Sequence, residues 1–233
     1  MTPENRIPEL DMLRGLCILG MIAVHLIYDL TEIYGVFPAY PAAILFLKNW
    51  GGIVFFLLSG ICATLGQHCI RRGIMVLLCA SAVSAVAAVI GNPIRFGVLH
   101  ALGSCMILWA GFQRLPRQVL PWLSVLLIAA GILLDRITVS IPFLYPFGLR
   151  TAAFSSADYF PLLPYLGYFL TGICLGQRLY PVHRSLLPAL SFDGVFSRTL
   201  FFCGRHSLLL YLLHQPVLIA AIEAALFLRR NLP

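Results

Sequence analysis

Seven long apolar stretches restrict what this chain can fold into more than any other feature of its sequence. An α-helix rises about 1.5 Å per residue, so crossing a hydrocarbon core of about 30 Å takes roughly 20 mostly apolar residues. The sequence therefore predicts an all-α fold, a polytopic transmembrane helix bundle of about seven spanning helices that forms a single domain over residues 1–233. The predicted segments lie at 15–35, 50–66, 74–91, 97–112, 118–134, 161–178 and 206–228.

The composition supports a membrane protein and excludes several other classes. Of the 233 residues, 60% are hydrophobic and only 11% are charged, and the mean hydropathy is +0.92. A soluble domain is about half apolar and a quarter charged. The same values exclude a disordered chain and a disulfide-stapled secreted module. The net charge of +7 is scattered in ones and twos, so a lipid bilayer is an expected partner and nucleic acid is not.

The distribution of lysine and arginine predicts the orientation in the membrane. With the N-terminus in the cytoplasm, ten of these residues face inward and six face outward, as the positive-inside rule favours. The links at 36–49, 91–96 and 135–160 then face outward, and the link at 179–205 is expected to hold a short interfacial helix. The first 13 residues do not resemble a cleavable signal, so the first segment is expected to be a retained helix.

The first segment carries ionisable residues on one helical stripe. Arg14, His25 and Asp29 follow one another at spacings of eleven and four residues, which places them on the same face of a helix. His25 lies about 16 Å deeper than Arg14 by helical rise. Asp29, one turn further, is expected to accept a proton from one ring nitrogen of His25 and so to orient the ring. The alternative is a buried histidine that only bridges two helices.

Two further sets of polar residues flank the fourth and sixth segments. Arg95 precedes the fourth segment and His100 lies about one turn inside it, while Asp158 stands just before the proline-led start of the sixth. Ionisable residues inside a membrane are costly and usually line a cavity or a site. Arg95 also suits contact with lipid headgroups, and Asp158 also suits the role of a helix cap.

The last segment places two polar side chains beside a proline. Ser207 stands near its start, and His214 and Gln215 directly precede Pro216. Because proline removes a backbone hydrogen bond, a kink is expected near His214 and Gln215. The pair then either lines a cavity or joins neighbouring helices by hydrogen bonds.

Several short motifs together resemble one family of membrane enzymes. Leu10-Asp11-Met12-Leu13-Arg14-Gly15-Leu16 followed by His25 is similar to the opening of transmembrane acyltransferases. The blocks that narrow the resemblance are Arg95-Phe96-Gly97-Val98-Leu99-His100, Asp158-Tyr159-Phe160-Pro161-Leu162-Leu163-Pro164 and His214-Gln215-Pro216. The combination resembles small bacterial proteins related to the catalytic domain of heparan-alpha-glucosaminide N-acetyltransferase.

The resemblance implies transfer of an acetyl or acyl group across the bacterial cytoplasmic membrane. Acetyl-coenzyme A is the implied donor, bound from the cytoplasmic side, and the implied acceptor is a hydroxyl or amine at the outer side, typically on a sugar or glycan. The family's first-helix histidine corresponds to His25 and its arginine to Arg14.

The chemistry of acyl transfer suggests roles for the remaining candidates. The reaction needs a base or a nucleophile, and donors that stabilise the oxyanion. The expected catalytic residues are His25, Asp29, His100, Asp158 and His214. The residues expected to bind substrate or cofactor are Arg14, Arg71, Arg72, Arg95, Ser207 and Gln215, and the arginines suit coenzyme A phosphates.

Three other functions remain open from the sequence alone. A proton-coupled transporter of small solutes would use the intramembrane histidine and aspartate residues as a relay, although no internal repeat is visible. A metal site would take His25, Asp29, His100 and His214 as ligands, but no compact ligand motif is present. A purely structural subunit leaves the buried ionisable residues unexplained. O- or N-transfer, an acyl-histidine intermediate and assembly into a homo-oligomer are left open.

Overall fold

The structure, a computed structural model, is entirely helical in its regular elements over the part of the chain that it describes, residues 7–187 and 194–231. Arg6 and residues 188–193 of the predicted link 179–205 lie outside that part. The eight α-helices named here are α1 (Pro8–Tyr28), α2 (Ala42–Leu65), α3 (Cys69–Val89), α4 (Val98–Phe112), α5 (Val119–Leu134), α6 (Leu162–Leu179), α7 (Val195–Arg205) and α8 (Ser207–Asn231).

Four of the described helical segments are long and apolar enough to cross a bilayer. They are Pro8–Ile33, Ala42–Leu65, Cys69–Val89 and Ser207–Arg230, and two shorter apolar helices, Val98–Phe112 and Val119–Leu134, accompany them. A helical membrane protein is therefore confirmed. Seven spans and a cytoplasmic N-terminus stay predictions.

The first three helices begin earlier than the hydropathy pattern indicates. The first helix starts at Pro8 rather than near residue 15, and the second starts at Ala42 rather than near residue 50. Hydropathy marks only the apolar part of a helix, whereas backbone hydrogen bonding continues through the polar turns at its ends. As a result, Asp11 lies inside α1. Part of the link predicted at 36–49 is also helical, although the first residues of α2 are apolar.

The chain forms two compact units. Among the described residues, the central unit comprises 55–186, and the terminal unit comprises 7–54, 187 and 194–231. A single domain over the whole chain stays a prediction.

The central unit has its core between the second half of α2 and helix α6. Phe56, Phe169, Leu170 and Ile173 are fully or almost fully buried there. Helix α5 joins α6 through a hydrogen bond of 2.7 Å between the hydroxyls of Ser124 and Thr171. A polar contact of this kind holds apolar helices in one register, because its loss leaves two hydroxyls unpaired.

The terminal unit packs α1 against α7 at very close range. Gly15 of α1 lies against the backbone of Leu200, and Gly204 of α7 lies against the backbone of Asp11. A Cβ atom at either glycine would overlap the facing carbonyl group, so only glycine allows this approach. The close packing fixes how the N-terminal half of α1 meets α7, the short helix expected in the link at 179–205.

The end of α1 changes from α-helical to π-helical winding. The segment Asp29–Ile33 is a π-helix, and the amide of Tyr34 donates to the carbonyl of Asp29 at 3.0 Å. Single π turns are rare and occur frequently at functional sites. This one begins at a residue that the sequence singles out.

Candidate functional site

Two histidines predicted to be functional face each other within the terminal unit. His25 of α1 and His214 of α8 have ring centroids 4.8 Å apart and ring planes at 69°, an edge-to-face arrangement. The two residues are separated by most of the chain, and both belong to helical segments long and apolar enough to span a membrane. Their contact creates a polar site between two spanning helices.

Asp29 and Gln215 form a second pair between the same two helices. Asp29 is fully buried, with 0% exposure, and the Nε2 atom of Gln215 donates to its Oδ1 and Oδ2 atoms, each at 2.9 Å. A buried carboxylate without donors is strongly destabilising. The Gln215 amide therefore stabilises Asp29 inside an apolar bundle.

The expected hydrogen bond between Asp29 and His25 is not found among the described residues. The i,i+4 spacing along α1 brings the two side chains to one face, but the carboxylate takes its donor from Gln215 on the neighbouring helix. Asp29 therefore orients Gln215 directly. The role of Asp29 as the orienter of His25 stays a prediction.

His214 has one fixed ring nitrogen and one buried nitrogen without a partner. Its Nδ1 atom lies 2.5 Å from the backbone oxygen of Tyr211. Within the described residues, His214 Nε2 and Gln215 Oε1 are buried and have no hydrogen-bond partner. Unpaired buried polar atoms are rare in folded proteins and mark places where another group is expected. Helix α8 continues through Pro216.

Arg14 belongs to a polar cluster in the same unit, toward the start of α1. Its Nη2 atom donates to the hydroxyl of Ser207 at 2.9 Å, and its Nη1 atom lies 3.8 Å from Oδ1 of Asp11. The Nε atom of Arg205 lies 3.6 Å from Oδ2 of Asp11. Two arginines thus contact one carboxylate. By helical rise, Arg14 and Asp29 are about 22 Å apart along α1.

Asp11 and Arg205 were not among the predicted site residues. Asp11 is almost buried, at 8% exposure, and stands three residues before Arg14, a spacing that brings two side chains of a helix together. That spacing is the signal in the sequence that points to the Asp11–Arg14 pair. The contact with Arg205 depends on the packing of α7 against α1, which no local pattern shows.

Two further carboxylates of the terminal unit, those of Glu32 and Glu223, each accept a hydrogen bond from a tyrosine hydroxyl. The hydroxyl of Tyr34 donates to Oε1 of Glu223 at 2.7 Å, and that of Tyr40 donates to Oε1 of Glu32 at 2.8 Å. Burial and the bond to Glu32 raise the pKa of Tyr40 to about 12. These acidic residues were also not predicted as part of a site.

In the central unit, Asp158 caps α4. Its Oδ2 atom accepts a hydrogen bond from the amide of Val98 at 3.0 Å, and the amide of Gly97 donates to Nδ1 of His100 at 3.3 Å. Both side chains therefore accept hydrogen bonds from backbone amides at the start of α4, where such amides otherwise lack partners. Asp158 thus acts as a helix cap, but for α4, whose first residue lies 60 positions away in the sequence, rather than for α6.

Arg95 and Tyr159 belong to the loop beside this cap. The Nε atom of Arg95 donates to the carbonyl of Ser155 at 3.1 Å, and its guanidinium lies 5.9 Å from the ring centre of Phe154. The hydroxyl of Tyr159 donates to the carbonyl of Tyr145 at 2.7 Å, and burial raises its pKa to about 12. Arg95 therefore holds the loop before α6 to the start of α4.

Arg71 and Arg72 lie in the first turn of α3, in the central unit, and both are exposed. Arg71 lines an open cleft of about 630 Å³ together with His68 and Gln113. A second cleft of about 300 Å³, also within the central unit, contains Gln113, Arg117 and His183. Both clefts carry cationic and amide side chains that suit an anionic ligand.

The predicted site residues thus fall into two sets. The terminal unit brings together His25, His214, Asp29 and Gln215, with Arg14 and Ser207 as a separate pair. The residues of the central unit are Arg71, Arg72, Arg95, His100 and Asp158. Over residues 7–187 and 194–231, no three histidine, cysteine, aspartate or glutamate side chains are grouped so that they could hold a metal ion.

The fold and the site define an integral membrane protein whose spanning helices bury histidine, carboxylate and amide side chains. The model of the family "heparan-alpha-glucosaminide N-acetyltransferase, catalytic" matches residues 6–216. The chain belongs to that family, and the resemblance drawn from its motifs is confirmed. The match supports a membrane acetyltransferase in general. No curated protein and no solved structure matches the chain in the corresponding searches.

Proposed function

We propose that this protein transfers an acetyl group from acetyl-coenzyme A to a hydroxyl or amine, on a sugar or glycan, at the outer side of a bacterial cytoplasmic membrane. The observation that carries the proposal is the contact of His25 with His214 beside the buried Asp29–Gln215 pair. Two imidazoles between spanning helices supply the base or nucleophile that acyl transfer requires. Family membership supports the same reaction class.

The cluster at the start of α1 suits the donor. Arg14 and Arg205 both contact the carboxylate of Asp11, and guanidinium groups suit coenzyme A phosphates. His25 lies about 16 Å further along the same helix by helical rise. A thioester on a long pantetheine arm is the kind of group that spans such a distance. The donor would thus be held near Arg14 and react near His25.

The roles of the individual residues follow from this placement. His25 acts as base or nucleophile toward the acyl group. Arg14 and Ser207 bind the donor. Arg95, His100 and Asp158 hold the start of α4 and the loop before α6, which makes them positioning residues in this proposal.

Donor binding is the first experiment, because it does not require the acceptor to be known. Titration calorimetry with acetyl-coenzyme A is applied to the purified protein and to Arg14→Ala and Ser207→Ala. We expect micromolar binding by the wild type, a loss of tenfold or more, about 1.4 kcal/mol, in Arg14→Ala and a smaller loss in Ser207→Ala. A folded wild-type protein that does not bind acetyl-coenzyme A would contradict the proposal and favour a transporter.

Transfer itself is tested with His25→Ala. We expect this variant to lose acetyl transfer from acetyl-coenzyme A while its expression and thermal stability in detergent stay near those of the wild type. His206→Ala is the matched control, since His206 is an exposed histidine between α7 and α8 whose ring lies against Phe202 of α7. If a clean His25→Ala preparation keeps most of its activity, the proposed role of His25 is wrong.

A further inference from the structure

The contacts of Asp29 and His214 indicate how the acyl acceptor is bound. This inference rests on the proposed function. We infer that Gln215 Oε1 and His214 Nε2 form a pair of hydrogen-bond acceptors that receives the acyl acceptor's own N–H or O–H, with His214 Nε2 taking the proton. Asp29 is the positioning residue that sets this pair.

The orientation of the Gln215 amide follows from its partner. An ionised carboxylate can only accept hydrogen bonds, so the amide nitrogen must face Asp29, as the 2.9 Å contacts to both carboxylate oxygens show. The amide oxygen then points away from Asp29. It is buried and has no partner among the described residues, which leaves it as a fixed acceptor.

The tautomer of His214 follows from its backbone contact. A carbonyl oxygen also can only accept, so the Nδ1 atom beside the Tyr211 oxygen must carry a hydrogen. In a neutral imidazole the other nitrogen then holds a lone pair. That nitrogen, Nε2, is buried without a partner in the described structure, and it is therefore a base held ready for a proton.

Two buried acceptors without partners in the described part of the chain, on consecutive residues of α8, select a donor group as their ligand. A thioester carbonyl offers only lone pairs and cannot satisfy either atom, so these two side chains do not polarise the acyl donor. A primary amine offers two hydrogens and can donate to both positions, and a hydroxyl offers one and can donate to Nε2 or to Oε1. Leaving two buried acceptors unpaired costs free energy that such a group recovers when it binds.

The step balances with His214 as the proton acceptor. The acceptor's oxygen or nitrogen forms a bond to the acyl carbon, and its proton passes to Nε2 of His214. The bond from the acyl carbon to its leaving atom breaks, and the electron pair goes to that atom. The leaving atom is the sulfur of coenzyme A in direct transfer, or a ring nitrogen of His25 if the acyl group is first carried there.

Kinetics of two variants test the inference. The probes are acetyl-coenzyme A as donor and methyl glucosaminide or methyl glucoside as acceptor, an amine sugar and a hydroxyl-only sugar. Asp29→Asn lets the Gln215 amide turn over, so we expect the KM for the acceptor to rise about tenfold, with acetyl-coenzyme A binding within about twofold of wild type. His214→Asn keeps a donor for the Tyr211 carbonyl and loses Nε2, so we expect kcat to fall by about 100-fold or more.

Two controls match these variants. Glu32→Gln neutralises an exposed carboxylate one turn from Asp29, and His206→Asn removes a histidine whose Nδ1 atom also lies near a backbone carbonyl of its own helix region, at 3.0 Å. We expect both controls to keep wild-type kinetics. If the substitutions acted only through a general loss of helix stability, the controls would change as well. The inference predicts altered kinetics only in Asp29→Asn and His214→Asn.

A spectroscopic measurement tests the tautomer independently of turnover. In protein labelled with ¹⁵N-histidine, the His214 signals, assigned by their absence in His214→Asn, should show a protonated Nδ1 and an unprotonated Nε2. A protonated Nε2, or an unchanged acceptor KM in Asp29→Asn, would overturn the inference while transfer by the wild type stands. A wild type that neither binds acetyl-coenzyme A nor acetylates either probe would overturn the proposed function, and the inference with it.

Discussion

At the scale of single residues, substitutions of Asp158 distinguish a helix-capping role from a catalytic role. Its carboxylate accepts from the amide of Val98 at the start of α4, and an asparagine oxygen can do the same. We expect Asp158→Asn to keep at least about half of the acetyl transfer, and Asp158→Ala to lose about 0.5–2 kcal/mol of stability, the usual effect of removing a cap. Thermal unfolding and transfer assays on both variants measure this. Loss of all activity in Asp158→Asn with unchanged stability would show a catalytic carboxylate instead.

The residues around Asp29 show what a single sequence can and cannot predict about the site. The stripe of Arg14, His25 and Asp29 follows from helical periodicity, because those residues belong to one continuous helix. The partner of Asp29 does not follow, since Gln215 lies 186 positions away and its donor reaches Asp29 only through the packing of α8. The spacing within the first helical segment could indicate only His25 as a partner, because His25 and Asp29 lie four residues apart there.

At the scale of helices, the packing of α1 against α7 depends on glycine. We expect Gly204→Ala to lower the unfolding temperature in detergent clearly, because the added methyl group would overlap the Asp11 carbonyl, and overpacking typically costs about 1–3 kcal/mol. Gly51→Ala is the matched control, because nothing lies within 4 Å of a Cβ atom there. It should be neutral or slightly stabilising. Equal effects of both substitutions would show that helix propensity, not close approach, governs the result.

The helices themselves were largely predictable, whereas their ends were not. Each of the seven apolar stretches coincides with a described helix, because long apolar runs favour buried or membrane-spanning helices. The polar first turns, such as the one that holds Asp11, carry no hydropathy signal. The cap that Asp158 supplies to α4 comes from a distant loop, so no pattern near either residue indicates it.

At the scale of the whole molecule, labelling at the two ends of α5 tests the predicted orientation in the membrane. The charge distribution predicts that residue 118 lies on the cytoplasmic side and residue 137 on the outer side, and both positions are exposed. In a background without the native cysteines, we expect a membrane-impermeant maleimide to label Ile137→Cys in intact cells, and to label Gln118→Cys only after permeabilisation. The reverse pattern would place the N-terminus outside and move the proposed donor site to the wrong face.

The π-helical turn at Asp29–Ile33 has a consequence for comparing this chain with its relatives. Its backbone closes between residues five apart, as the Tyr34 amide and the Asp29 carbonyl do, so it takes up one more residue per hydrogen-bonded turn than the rest of α1. A relative wound as a regular helix here would lack one residue in this stretch. An ungapped alignment through it would then pair Glu32 and Tyr34 with the wrong positions, and a residue shared by both proteins would look variable.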